Sequence, residues 1–115
     1  MPRAKRGFKA RRRRKKVLKA AKGYYQGRSH LFRTAQEAVD HALVYAYRDR
    51  KDNKRNFRRL WQVRISAAVK AEGFSYSRFI HQLKEKEIGL NRKMLAELAA
   101  TQPKDFSELL KQVWA

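Results

Sequence analysis

Cysteine is absent from the 115 residues, which excludes disulfides and thiolate metal sites. Proline occurs twice and glycine five times, and neither appears between Gly27 and Gly73. No apolar run approaches the roughly 20 residues needed to cross a bilayer, and no apolar segment follows the basic N-terminus as it would in a secretory signal. Acid is scarce: 10 Asp and Glu stand against 30 Lys and Arg, a net charge of +20. None of the ten acids lies between Met1 and Gln36. So much like charge does not stabilise a chain of this size. It is intelligible as an attraction for a polyanion, which means nucleic acid before an anionic membrane.

What is present is unevenly spread. Residues 1–60 hold 21 Lys and Arg against 4 acids, whereas residues 61–115 hold 9 against 6. Apolar residues follow the opposite gradient. The layout predicts a basic extension over residues 1–60 and a small globular domain over residues 61–115. A chain of this length has room for one domain, or for one small domain plus such an extension.

The interval free of Gly and Pro is rich in Ala, Arg, Lys, Gln, Glu and Leu, all strong helix formers. It predicts a single long helix continuing to about residue 72, with Asp52-Asn53 as the point where a kink would fall. At about 40 residues it would reach ~60 Å, so one end should project from so small a domain. Phe57, Trp61, Ile65, Ala68 and Val69 recur at spacings of four and three and predict a core-facing stripe. Ala35, Ala38, Val39, Ala42, Leu43 and Ala46 form a second stripe, mostly of small residues that permit close approach of another surface.

Beyond Gly73 the chain reads as short punctuated helices. Ser75 is the expected cap of a helix with Phe79, Ile80 and Leu83 inward, ended by Gly89 at C′. Asn91 should cap a second, with Met94, Leu95 and Leu98 inward. Pro103 opens a third, with Phe106, Leu109, Leu110 and Val113 inward. No run alternates with period two, so the fold class is all-α: a long basic N-terminal helical extension plus a small C-terminal helical bundle. The N-terminal segment has only weak periodicity, with Arg14, Leu18, Ala21 and Tyr25 on one face and Val17 beside them. Propensity allows helix there and repulsion opposes it. The expectation is disorder in isolation, helix once phosphates neutralise the charge, and a bend at Gly23 and Gly27 into the long helix.

The run RRRRKK at residues 11–16 has no interspersed acid, which argues against a merely solvated face. It matches the loose pattern of a nuclear localisation signal, as most basic proteins do. A phosphate-gripping arm fits it best, arginine forks binding bidentately and lysines adding point charges. A second cluster, residues 48–64, surrounds most of a helix with cations and has only Asp49 and Asp52 to pair with neighbours such as Lys54 and Arg55. Phe8, Tyr24, Tyr25, Phe32, Tyr45 and Tyr47 are interleaved with the bases. Stacking on unpaired bases is a role for Tyr24 and Tyr25 in particular, against the alternative that they pack the turn; Trp61 reads as core. His30, His41 and His81 match no zinc spacing, and no metal or other cofactor is expected. There is no phosphate loop, nucleophile elbow or paired-carboxylate set, and so no enzyme. Sustained heptads are missing, and an extended arm with a small cap suits a folded RNA with crevices better than a uniform duplex.

The blocks YRDR, FRRLW, RI-x-AA, SYS-x-FI and LNRKMLAELA, together with the N-terminal PRAKRGFKARRRRKKVLKAAKGYYQGRSHLFRTA, closely resemble the bacterial large-subunit ribosomal protein L-twenty family. The resemblance covers nearly the whole chain in order. It implies an extension buried in large-subunit ribosomal RNA, a helical domain at the particle surface, and a part in early subunit assembly. Neighbouring large-subunit proteins are implied partners, and the protein's own messenger leader is a further one, through which some members repress their operon. A cytoplasmic bacterial ribosome is implied ahead of an organellar one, and no membrane. The candidate RNA contacts are Arg3, Lys5, Arg6, Lys9, Arg11, Arg12, Arg13, Arg14, Lys15, Lys16, Lys19, Lys22, Tyr24, Tyr25, Arg28 and Arg33 in the first part. Arg48, Arg50, Lys51, Lys54, Arg55, Arg58, Arg59 and Arg64 complete the set. Ser66, Gln62-Val63 and Lys51-Asp52-Asn53 depart mildly from the family pattern. The rival class is a regulatory nucleic-acid binder, which would need only a compact module.

Overall fold

A computed structural model describes residues 1–5 and 7–115. Five α-helices occur among them: α1 (Lys9–Ala20), α2 (Phe32–Ala71), α3 (Tyr76–Glu85), α4 (Arg92–Thr101) and α5 (Pro103–Trp114), with a 3-10 turn at Gln26–Ser29. No strand occurs among the described residues. The fold is all-α, as the helix-forming composition and the missing period-two pattern imply. Contacts divide the chain into two compact units, Met1–Lys51 and Asp52–Ala115. The helical assignment of α2 runs through Asp52 and Asn53 without a break.

In the second unit the core is Ile65, Val69, Phe79, Leu83, Leu95, Ala96, Phe106, Leu110 and Val113, with Trp61, Ile80, Leu98 and Leu109 packed half-buried around it. Each helix contributes residues three and four apart, so a single apolar face of each is sealed. Phe79 and Phe106 meet edge-on with centroids 5.9 Å apart, the arrangement that ring quadrupoles favour. Backbone ends are closed locally. The Asn91 side chain accepts from Met94 N at 2.9 Å, and Pro103 occupies the first turn of α5, where its missing N–H forfeits nothing. Lys86 Nζ donates to the carbonyls of Gln112 and Ala115 at 2.8 and 2.9 Å, placing a cation at the electronegative end of α5.

Several expectations are corrected. Phe57 is 48 % exposed, because the buried core on α2 begins at Ile65; the Phe57 ring lies 6.3 Å from that of the half-buried Trp61. Met94 is 49 % exposed; the buried face of α4 is centred on Leu95 and Ala96, about 100° and 200° further round the helix. On the stripe of small residues Ala35 and Val39 are buried, while Leu43 is exposed. Ser75 occupies the N-cap position of α3 but makes no side-chain capping bond. Gly89 is not the C′ residue of α3. That role falls to Glu87 at φ 53°, with Glu87 N bonded to Lys84 O (3.1 Å) and Ile88 N to Leu83 O (2.9 Å). This is a Schellman closure in which Ile88 packs back on the core. The left-handed closure therefore falls two residues before the glycine expected to provide it. At the end of α2 the same closure uses Gly73 at φ 84°, with Phe74 N on Val69 O.

Phe106→Ala is expected to lower the unfolding free energy of the second unit by about 3–5 kcal/mol, and Met94→Ala by less than about 0.5 kcal/mol. Denaturant titration of the full chain measures both, and similar losses for the two would contradict the assigned core.

Candidate nucleic-acid interface

The first unit has little apolar burial. Ala21, Ala35 and Val39 are its buried hydrophobic residues, with Val17, Leu18 and Tyr24 packed half-buried against them. Val17 and Leu18 of α1 reach this cluster, but its two alanines remove little apolar area from water. No residue within α1 itself is buried. Residues 21–31 turn the chain. Gly23 takes φ 88°, a left-handed conformation that a Cβ would strain. The Gly27 carbonyl gathers three donors: Leu31 N at 2.8 Å, His30 N at 3.4 Å and Thr34 Oγ1 at 3.0 Å. Thr34 Oγ1 also reaches Leu31 O at 3.0 Å, so one hydroxyl ties the turn to the first helical turn of α2.

On this scaffold the candidate contacts Arg3, Lys5, Lys9, residues 11–16, Lys19, Lys22, Arg28 and Arg33 are all exposed. Arg6 lies outside the described residues. Four successive arginines at 100° steps leave no side of α1 without a cation. Among the described residues no cation from Arg3 to Arg33 makes an ion pair. Two arginines lie instead on rings: Arg12 over Phe8 at 4.3 Å and Arg14 over Phe32 at 5.4 Å. Such contacts hold a guanidinium's plane without consuming its hydrogen-bond donors.

Arg48, Arg50 and Lys51 are exposed in the first unit. Arg48 packs over Tyr45 (4.9 Å) and pairs with its neighbour Asp49 (3.0 Å). Asp49 thus takes the adjacent arginine rather than a base three or four residues on. Lys51 reaches the Tyr47 ring at 4.4 Å and donates to its hydroxyl at 2.7 Å. In the second unit Lys54, Arg55, Arg58, Arg59 and Arg64 are exposed, and Arg55 pairs with Asp52 at 3.1 Å as the i,i+3 spacing implies. Exposed pairs of this kind contribute at most about 1 kcal/mol, so an RNA phosphate can displace them at little cost.

The two tyrosines of the turn part company. Tyr24 is half-buried on the Ala21–Ala35–Val39 cluster, whereas Tyr25 is 77 % exposed. Tyr25 and Tyr24 line a cleft of about 700 Å³ with Arg28, Glu37, His41 and Tyr45. The sequence pattern points to the tyrosines and the arginine, but not to Thr34 and Glu37. Their signal was available: positions 34, 37, 38, 41, 42 and 45 recur at three and four and mark one helix face, half polar and half small. No group of His, Cys, Asp or Glu that could hold a metal occurs among the described residues.

A family model described as ribosomal protein L20 matches residues 3–109. The large ribosomal subunit protein bL20 of Syntrophotalea carbinolica is 62 % identical over 109 residues, covering 95 % of this chain and 92 % of that protein. The bL20 protein of Geobacter sulfurreducens is 62 % identical, with 95 % and 93 % covered. That of Desulfosudis oleivorans is 60 % identical, with 94 % and 93 % covered.

A helix with no buried residue and a dense set of cations lacking ion pairs has little to hold it in water alone. Amides of residues 17–21 in the free chain are expected to exchange within seconds at neutral pH, while those of residues 65–69 are protected by orders of magnitude. Strong protection at residues 17–21 without RNA would contradict this.

Proposed function

Since the chain belongs to the ribosomal protein L20 family, it is a structural, non-enzymatic constituent of the large ribosomal subunit, and we propose that its exposed cations bind it to ribosomal RNA and promote early subunit assembly. The observation that carries this reading is the lack of an ion pair at every described Lys and Arg from Arg3 to Arg33. Left in water, those charges repel one another; against phosphates each displaces a counterion and strengthens association. The division of labour follows the charge. Residues 1–60 are the RNA-embedded extension, with Arg6 counted among its contacts on sequence grounds. Residues 61–115 are the helical domain, whose own core lets it fold before the extension has found its RNA. Tyr25 is the ring free to stack on a base, and Tyr24 chiefly packs the turn. The site of action is the bacterial cytoplasm, within the ribosome, beside neighbouring large-subunit proteins.

A second reading is repression of the protein's own messenger through the helical domain. The self-contained core of residues 61–115 favours it, since a repressor needs a module that folds without ribosomal RNA. If the messenger leader binds the protein no better than an unrelated stem-loop of equal length, this reading is lost and the first is untouched.

Replacing Arg11, Arg12, Arg13 and Arg14 by Gln is expected to lower the slope of log affinity against log salt for large-subunit RNA by about 3–4, roughly one phosphate per arginine. Sedimentation of large subunits through gradients of rising salt is the companion measurement. Loss of the wild-type chain at modest salt, with retention on duplex DNA, rules out the ribosomal reading.

A further inference from the structure

Glu37 is the first acid in the chain, set among cations that await phosphate, and it makes no ion pair among the described residues. An acid at a phosphate-facing surface weakens binding unless something other than phosphate meets it. Glu37 lines the 700 Å³ cleft together with the exposed ring of Tyr25, the Tyr45 ring and the Arg28 guanidinium. Tyr45 is already flanked by His41, stacked at 6.2 Å, and by Arg48. Tyr25 carries only a 3.3 Å bond from Gln26 to its hydroxyl, so its ring is the platform left open. The volume lies in the range of small-ligand clefts and accommodates one purine.

The chemistry of the lining selects among bases. A carboxylate only accepts hydrogen bonds. Guanine alone among the four presents two adjacent donors, N1–H and the N2 amino group, on its Watson–Crick edge. Adenine and cytosine each set a ring acceptor beside their single amino group, and uracil flanks its one N–H with two carbonyls. An arginine fork matches guanine's O6 and N7 acceptors. Unpaired, splayed bases read by stacking and edge contacts are how single-stranded RNA is recognised. We infer that this cleft receives one extruded guanine of the bound RNA, stacked on Tyr25, with Glu37 accepting from its Watson–Crick edge and Arg28 donating to O6 and N7. The inference rests on the RNA-bound reading of the extension and adds base selectivity to a surface otherwise blind to sequence.

The test uses large subunits assembled with the full chain, wild type or Glu37→Gln, probed with kethoxal, which modifies N1 and N2 of accessible guanines. One guanine protected in wild-type particles is expected to become about tenfold more reactive in Glu37→Gln particles, in keeping with the worth of one bidentate contact. Cosedimentation of the protein should be unchanged. Asp40→Gln, which removes an exposed acid one turn from Glu37 and outside the cleft, should leave that guanine protected. Photo-crosslinking from position 25 should land on the same nucleotide. Identical guanine reactivities in Glu37→Gln and wild-type particles overturn the inference, as does a crosslink to any other base or the same exposure from Asp40→Gln. In each of those cases a chain that still sediments with the particle leaves the RNA-binding reading standing. A chain absent from the particle overturns both.

Discussion

Repulsion among fourteen Lys and Arg in the first 36 residues, with no acid to relieve it, governs how the rest of the molecule is built. A folded domain balances such repulsion by burying apolar area elsewhere. The first unit buries three small or medium residues, Ala21, Ala35 and Val39, and has little with which to do so. Its conformation must therefore be completed from outside. The partner has to supply negative charge at close spacing and in quantity, which a phosphate backbone does and a protein surface rarely can. The lack of acids is thus what fixes the partner's chemistry, more than the number of bases.

The second unit shows the opposite solution. Phe79, Phe106, Ile65, Leu95, Leu110, Val69 and Val113 are fully buried, its buried residues carry no uncompensated charge, and the helix ends are closed by Asn91, Pro103, Lys86 and two Schellman turns. Its core is assembled entirely from the unit's own residues. Placing a self-sufficient fold and a ligand-dependent one on a shared helix, α2, lets one part of the chain be ordered while the other is still searching. That separation suits a protein that joins an RNA while the RNA is itself folding.

Most of this architecture is legible in the sequence because helix formation depends on local residues. The interval without Gly or Pro gave α2 nearly to its ends, and Asn91 and Pro103 announced two helix starts through chemistry confined to three or four residues. Legibility failed where an answer depended on what lies across from a residue. Phe57 and Met94 have the right type and spacing for a core, yet the core does not extend to them. Glu87 adopts a left-handed conformation although Gly89 stood two residues away. There the register was set by Ile88 needing to reach the core, a tertiary demand that a propensity scale cannot contain. The cations of the interface could be named from composition alone. The cleft beside them could not, because it exists only once residues 23–31 fold back on α2.

That last difference bears on how selectivity can arise in so basic a protein. Cations by themselves discriminate poorly: an arginine grips any phosphate, and adding more raises affinity for every RNA alike. Discrimination requires a group that some nucleotides satisfy and others leave unpaired, in a place the chain holds rigid. Along residues 1–51 the acids are Glu37, Asp40 and Asp49. Asp49 is taken up by Arg48, and Asp40 lies outside the cleft. Among the described residues, Glu37 alone combines a carboxylate outside any ion pair with an open ring, a neighbouring guanidinium and a turn pinned by Gly27 and Thr34. In a field of positive charge it is the negative group that can carry information, since its contribution is favourable only where the opposing edge donates hydrogen bonds.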